Sequence, residues 1–393
     1  MTWQHLDGDH ELPTVFSGPV PPAPFSRRRR GLWIIVACAL VLAAGGGIHL
    51  AANLGYDASR ASFQDAEIIA ENRQADLAAD AQQLDADAAA ASDIAAADSA
   101  VLMPLEARAD LDAAIAAVEP TASEADAATA ASFPEAGPKP TWTWELFAES
   151  ARLADDTREL EDRKDEFVSL SDDVADAASE IAESALDAVR AAAASASDFE
   201  AAHVNARNPE IIALRTAAES ASSVSELDAA TVQRYTALEA TASGVLTSEQ
   251  AELAEKDGDL YGPRIEIEAF ARSLAPGVLI DFDWAPTVPG YDEPSYGGWT
   301  SWWYGDPGYA TIALSDYIAE SWPAEWTKAL VAHEVGHAIS VKCESMYDSS
   351  DQDTIEAWAT AWAISMGFTD RGNGTDVYGS PGQPMIDAAS ACR

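Results

Sequence analysis

Ala329-Leu330-Val331-Ala332-His333-Glu334-Val335-Gly336-His337-Ala338-Ile339 is the stretch whose reading decides the fold of the C-terminal third. Its residues are mostly apolar and good helix formers, and Ser321-Trp322-Pro323 upstream supplies a helix-start signal. On a helix, residues four apart share a face, so His333 and His337 can address one metal ion. Glu334 sits one step round, beside the metal and not on it, where a carboxylate serves as general base toward water. The chain has only six histidines, and two of them stand at this spacing. The HExxH pattern points to a zinc hydrolase site, against the bland alternative of a chance pair of core histidines.

A catalytic zinc takes three protein ligands and leaves one position open. No histidine follows His337, so the third ligand is of another type. Glu356, in Asp353-Thr354-Ile355-Glu356-Ala357-Trp358, is the best spaced candidate. It lies on a second helical pattern that the loop from Glu344 to Gln352 can return antiparallel. A capping box with Asp353 is its competing role. Two rival ligands stay open. Cys343 occupies the third-ligand position of the metzincin pattern, although Ser340 stands where that pattern has glycine. Asp376, in Gly374-Thr375-Asp376-Val377-Tyr378-Gly379, lies in a motif similar to that of the aspzincins with its spacing collapsed.

An HExxH followed by a glutamate 19 residues beyond its second histidine resembles the gluzincin, or thermolysin-like, metallopeptidases. The resemblance covers residues 322–366 and no more. It implies a zincin-like fold, Zn2+ held by His333, His337 and Glu356, Glu334 as catalytic general base, and a protein or peptide substrate. The chain departs from the family in having Thr360 where an acidic residue usually orients a ligand histidine. It also lacks a counterpart of the oxyanion-stabilising histidine, which leaves Tyr347 or Tyr378 for that role. The absence of a Gly-x-Met-Glu-Asn exopeptidase motif leans toward an endopeptidase. An intramembrane protease is excluded, because Glu325, Lys328 and Lys342 surround the motif and no second apolar span exists.

With 66 acidic and 23 basic residues, a formal net charge of −43, the chain offers no basic surface for nucleic acid. Gly31 to Ala52 carries no Asp, Glu, Lys or Arg and follows Arg27-Arg28-Arg29-Arg30. Roughly 20 apolar residues cross a bilayer, and positive charge marks the cytoplasmic side. Residues 31–52 therefore read as a single-pass transmembrane anchor in the cell membrane. Residues 1–30, proline-rich in their first 26, form a disordered cytoplasmic tail, and the chain after about residue 53 lies outside. A cleaved signal peptide is the competing reading, with small residues at Ala43-Ala44-Gly45-Gly46-Gly47. The anchored topology puts Cys343 and Cys392 in an oxidising compartment, where they would pair as a disulfide. Cys38 falls in the span.

Residues 57–258 are rich in Ala, Asp and Glu and helical in pattern. Leu153, Leu160, Phe167, Val174 and Ile181 recur every seventh residue, the seam of a helix packed lengthwise on partners. Leu77 and Leu84 begin a weaker version. Breaks are expected at Pro120, at 133–138 and near 205–209, giving three or four long helices folded back or oligomerised as a coiled-coil stalk. His203 reads as a solvated helix residue. Near Gly258 glycine, proline and aromatics rise, so 259–393 is expected to be a compact α+β domain. Arg264-Ile265-Glu266-Ile267-Glu268 alternates like a strand, and Tyr309 to Leu314 reads as another. The whole is thus expected to be mainly α: anchor, helical stalk, and distal zinc endopeptidase domain. The alternative is a non-catalytic envelope scaffold whose zinc domain is structural or degenerate.

Overall fold

A computed structural model describes residues 27–97, 101–288, 297–305 and 308–393, with side chains from Gly31 onward. The proline-rich tail of residues 1–26 lies outside the described residues. Contacts divide the chain into two units. One comprises Met1–Arg73 with Ala131–Glu166, the other Gln74–Ala130 with Phe167–Arg393. The chain is mostly helical and carries one small sheet.

Three long helices open it: α1 (Arg27–Ala95), α2 (Leu105–Thr129) and α3 (Thr143–Ala202). The seven-residue register runs beyond Leu153–Ile181 and Leu77–Leu84 in both directions. Tyr56, Phe63, Ala70, Leu77, Leu84 and Ala91 are buried on α1, and Leu111, Val118 and Ala125 on α2. On α3 the buried series runs from Leu146 through Leu153, Leu160, Phe167, Val174 and Ile181 to Ala188. A period of seven keeps one stripe of a helix facing its neighbour, which is why these positions and not the acidic ones between them are covered. In the first unit, Tyr56, Phe63 and Ala70 pack with Leu146, Leu153 and Leu160. α1 also holds the one stretch among the described residues that is long and apolar enough to cross a membrane, and none of that stretch is buried.

Pro120 does not break its helix. It lies inside α2, flanked by buried Val118 and Ala125. A proline removes one helical hydrogen bond, and packing on either side of it holds the turn regardless. The expected break at 133–138 does fall between α2 and α3. Residues 208–255 form two helices, α4 (Asn208–Ser222) and α5 (Ala229–Glu255). Asp228 starts α5 by accepting the backbone N–H of Thr231 at 2.8 Å. His203, expected to be solvated, is half-buried just past α3, with Nδ1 2.6 Å from Glu249 Oε2.

Beyond them come α6 (Tyr261–Leu274), β1 (Leu279–Ala285), β2 (Gly298–Trp303) and β3 (Tyr309–Ser315). These lead to α7 (Asp316–Glu320), α8 (Glu325–Ala338), α9 (Gln352–Ser365), α10 (Thr375–Tyr378) and α11 (Gln383–Ala389). Residues 264–268 are therefore helical and not a strand. Five alternating residues also fit one and a half helical turns, and the deciding pattern is longer: Ile267, Ala271 and Ala275 are buried at helical spacing. The expected strand at 309–314 is present as β3, the centre of a sheet ordered β1-β3-β2, with β1 parallel and β2 antiparallel to it. One core joins the sheet to the helices: Ile267 from α6, Phe282 from β1, Ile312 from β3, Val331 and Val335 from α8, Trp358 and Trp362 from α9.

α4 belongs to this core's surroundings. The Asn208 backbone N–H donates to Asp281 Oδ1 at 2.8 Å, and its side-chain amide to the Ala310 carbonyl at 2.9 Å. Arg207 pairs with Asp283 at 2.7 Å. Lys256, just past α5, reaches the fully buried Glu268 at 3.1 Å, while Trp284 Nε1 donates to the other Glu268 oxygen at 2.9 Å. Residue 258, where the composition changes, falls inside the second unit. Cys343 and Cys392 form a disulfide with Cα atoms 6.0 Å apart, tying the segment after α8 to the segment after α11.

Candidate metal centre

Val331 to Ser340, the end of α8 and the start of the turn after it, are buried without interruption, so the backbone that carries the two histidines is held by packing. His333, Glu334 and His337 are each 5% exposed. α9 crosses closely because α8 has no side chain at Gly336: a Cβ there would stand 2.8 Å from the Ala359 Cα and carbonyl oxygen. That approach brings Glu356 to the histidines. Its Oε2 lies 3.2 Å from His333 Nε2 and 3.2 Å from His337 Nε2, and the two Nε2 atoms are 3.3 Å apart. These three residues form a group that could hold a metal ion.

The surroundings orient each member. His333 Nδ1 lies 3.1 Å from the Asn373 carbonyl and 3.3 Å from Thr360 Oγ1. A carbonyl only accepts, so His333 donates from Nδ1, and its other ring nitrogen, Nε2, faces Glu356. Gln352 donates to Glu356 Oε1 at 2.9 Å, which leaves Oε2 for the histidines. Burial by itself would raise the Glu356 carboxyl, but the hydrogen bonds and charges of His333 and His337 outweigh it and hold it well below the usual carboxylate range. The capping role is taken elsewhere: Asp351, not Asp353, caps α9 through Thr354.

Glu334 points at β2. Thr300 Oγ1 donates to Glu334 Oε2 at 2.6 Å. Gly298 leaves room for the rest of the carboxylate, since a Cβ on it would stand 2.6–2.7 Å from Glu334 Cγ, Cδ and Oε1. Each imidazole is also faced by an aromatic ring: Trp302 stacks on His337 at 5.4 Å and Tyr378 on His333 at 5.6 Å. Together these groups line a cleft of about 290 Å³ with Trp299 and Gln352 at its sides.

No family model matches the chain, and neither does any curated protein or solved structure. Of the two tyrosines considered for the oxyanion, Tyr378 lines the cleft and Tyr347 does not. The Tyr347 ring stacks on Trp358 and its hydroxyl is 2.7 Å from that of Tyr304; burial there pushes the hydroxyl's pKa up. Cys343 is unavailable as a ligand because it is bridged, and Asp376 lines a separate pocket with Trp326 and Arg371. Sequence reasoning missed Thr300, Gly298 and the Asn373 carbonyl. The signal for the last is the Asn373-Gly374 pair, a turn dipeptide. Gly374 adopts φ +93°, and a Cβ there would meet Thr360 and His333 within 3 Å.

Proposed function

We propose that the chain is a membrane-anchored, extracytoplasmic zinc endopeptidase, with His333, His337 and Glu356 as metal ligands and Glu334 as general base. The observation that carries the reading is the triangle of ligand atoms. Two imidazole nitrogens and one carboxylate oxygen, 3.2–3.3 Å apart, converge where a cation is needed to offset their lone pairs. Ligands about 2.0–2.1 Å from a tetrahedral zinc ion stand roughly 3.3–3.5 Å from one another, so the group fits that ion. Two histidines and one glutamate form a donor set typical of catalytic zinc, and structural sites are closed where this one opens on a cleft.

Bound zinc supplies Lewis acidity toward a carbonyl and toward water. The chain's own groups do the rest. Thr300 holds Glu334 Oε2 by its hydroxyl, so Oε1 is the atom that takes the proton from attacking water and returns it to the leaving nitrogen. Among the described residues β2 is an edge strand, paired with β3 on one side only. An extended peptide can add to its open edge, with Trp299 and Trp302 as walls. The resemblance to the gluzincins and a zincin-like fold for this region belong to the same proposal. So does the topology: Arg27–Arg30 on the cytoplasmic side, α1 across the membrane and the remainder outside.

The test is a peptide-library assay of the full chain in detergent, beside Glu334→Gln. The wild type should cleave internal bonds, and the variant should keep its metal and lose about 10²–10⁴-fold in rate. Equal activity of the two would refute the base assignment. A metal-loaded wild type with no cleavage would favour the scaffold reading.

A further inference from the structure

In the first unit the start of α3 is fastened to the end of the apolar stretch of α1. His49 Nδ1 and Thr143 Oγ1 are 2.9 Å apart, and Leu146 packs with Ala52 and Tyr56. Lys139 pairs with Asp57 at 2.5 Å and lies 5.3 Å from the Tyr56 ring centroid. Three aromatic side chains at this corner stand more than half exposed. Trp142 is 59% exposed, Trp144 65% and Phe147 53%, with the two indoles stacked at 5.2 Å. Large aromatics clustered within six residues and left uncovered mark a contact surface.

The same apolar surface continues along α1, where every residue from Gly31 to Ala51 is exposed. The twenty residues up to Leu50 rise about 30 Å, one hydrocarbon thickness. The arginine run therefore stands at one boundary of that layer, and His49, with Thr143 against it, at the other. Indoles favour this boundary, where a ring is half apolar and half wet. The chain's net charge of −43 gives it no general electrostatic attraction to anionic lipid, which leaves apolar insertion as the means of contact.

We propose that Trp142, Trp144 and Phe147 form an interfacial foot, seated in the headgroup region of the bilayer that α1 crosses. This rests on the reading of α1 as a spanning helix. A span alone leaves its tilt free; a second contact beside it fixes the tilt of α1 and the depth at which α3 begins.

Nitroxide labels on the full chain in phosphatidylcholine–phosphatidylglycerol vesicles test it, read as collision access to oxygen against an aqueous nickel chelate. Cys38 is free, and Cys343 and Cys392 are bridged, so native Cys38 reports the span. Thr141→Cys and Ala154→Cys, each with Cys38→Ala, report the foot and a point on α3 further from it. The expected result is oxygen preference at 38, nickel preference at 154 and an intermediate value at 141. Adding Trp142→Ser and Trp144→Ser should shift the 141 label severalfold toward nickel. A 141 label as nickel-accessible as the one at 154, with 38 still favouring oxygen, overturns the foot and leaves the anchor standing. Poor access of both reagents to 141 overturns it too, because protein, such as a second copy of the chain, then covers the aromatics. Nickel preference at 38 brings down the anchor reading and the foot with it.

Discussion

Glu334 is held by two residues of β2 that do no chemistry themselves. Thr300 bonds one carboxylate oxygen, and Gly298 leaves the space in which the side chain lies. Gly298→Ala should push the carboxylate out of place and cost at least about tenfold in peptide hydrolysis, since displacement by an ångström is enough for that. Zinc content should not change, because the atoms nearest a side chain at 298 belong to Glu334; a fully active variant would show that Glu334 does not need this seat. Asp281 makes a different residue-scale prediction. Burial pushes its carboxyl up to about 6, above the value near 4 of an unfolded chain. The folded state therefore holds the proton more tightly between those pH values, and stability falls as pH rises through that window, by roughly 3 kcal/mol. Thermal unfolding at pH 4.5 and pH 7 should show Asp281→Asn losing this part of the pH dependence, while its side-chain oxygen still accepts the Asn208 N–H. An unchanged slope would mean that Asp281 is ionised at little cost.

At the scale of elements, the helices were legible where their pattern was long. The seven-residue seam of α3 and the HExxH of α8 depend on neighbours within one helix, and such spacing is visible in a sequence. The grouping of His333, His337 and Glu356 was legible for the same reason, since α8 and α9 are each regular and follow one another in the chain. What could not be read came from elsewhere in the chain. The Asn373 carbonyl, which accepts from His333 Nδ1, is a backbone atom with no residue-type signature. β2 reaches Glu334 only through its pairing with β3. Residues 264–268 misled because five positions cannot separate a period of 2 from one of 3.6. The disulfide belongs to this scale, since it closes a 49-residue loop across α9, α10 and α11. Changing Cys343 and Cys392 both to Ser should lower stability by up to about 4 kcal/mol, read by denaturant unfolding under non-reducing conditions. No change would mean that the loop is equally constrained without the bridge.

For the whole molecule, the composition change near residue 258 does not mark where packing stops. Asn208 and Arg207 bond Asp281, Asp283 and the Ala310 carbonyl, and Lys256 neutralises buried Glu268. A fragment cut at 259 would take Asn208 from Asp281 and Lys256 from Glu268, and a lost partner at a buried polar group costs about 1–3 kcal/mol. The full chain, purified in detergent, is therefore the material on which the metal centre has to be judged. The most direct measurement is its zinc content after dialysis, wild type beside Glu356→Ala. One zinc per wild-type chain, with affinity reduced at least about 100-fold in the variant, is the result the account predicts. A wild-type chain that takes up no zinc, or a variant that holds it equally well, would contradict it.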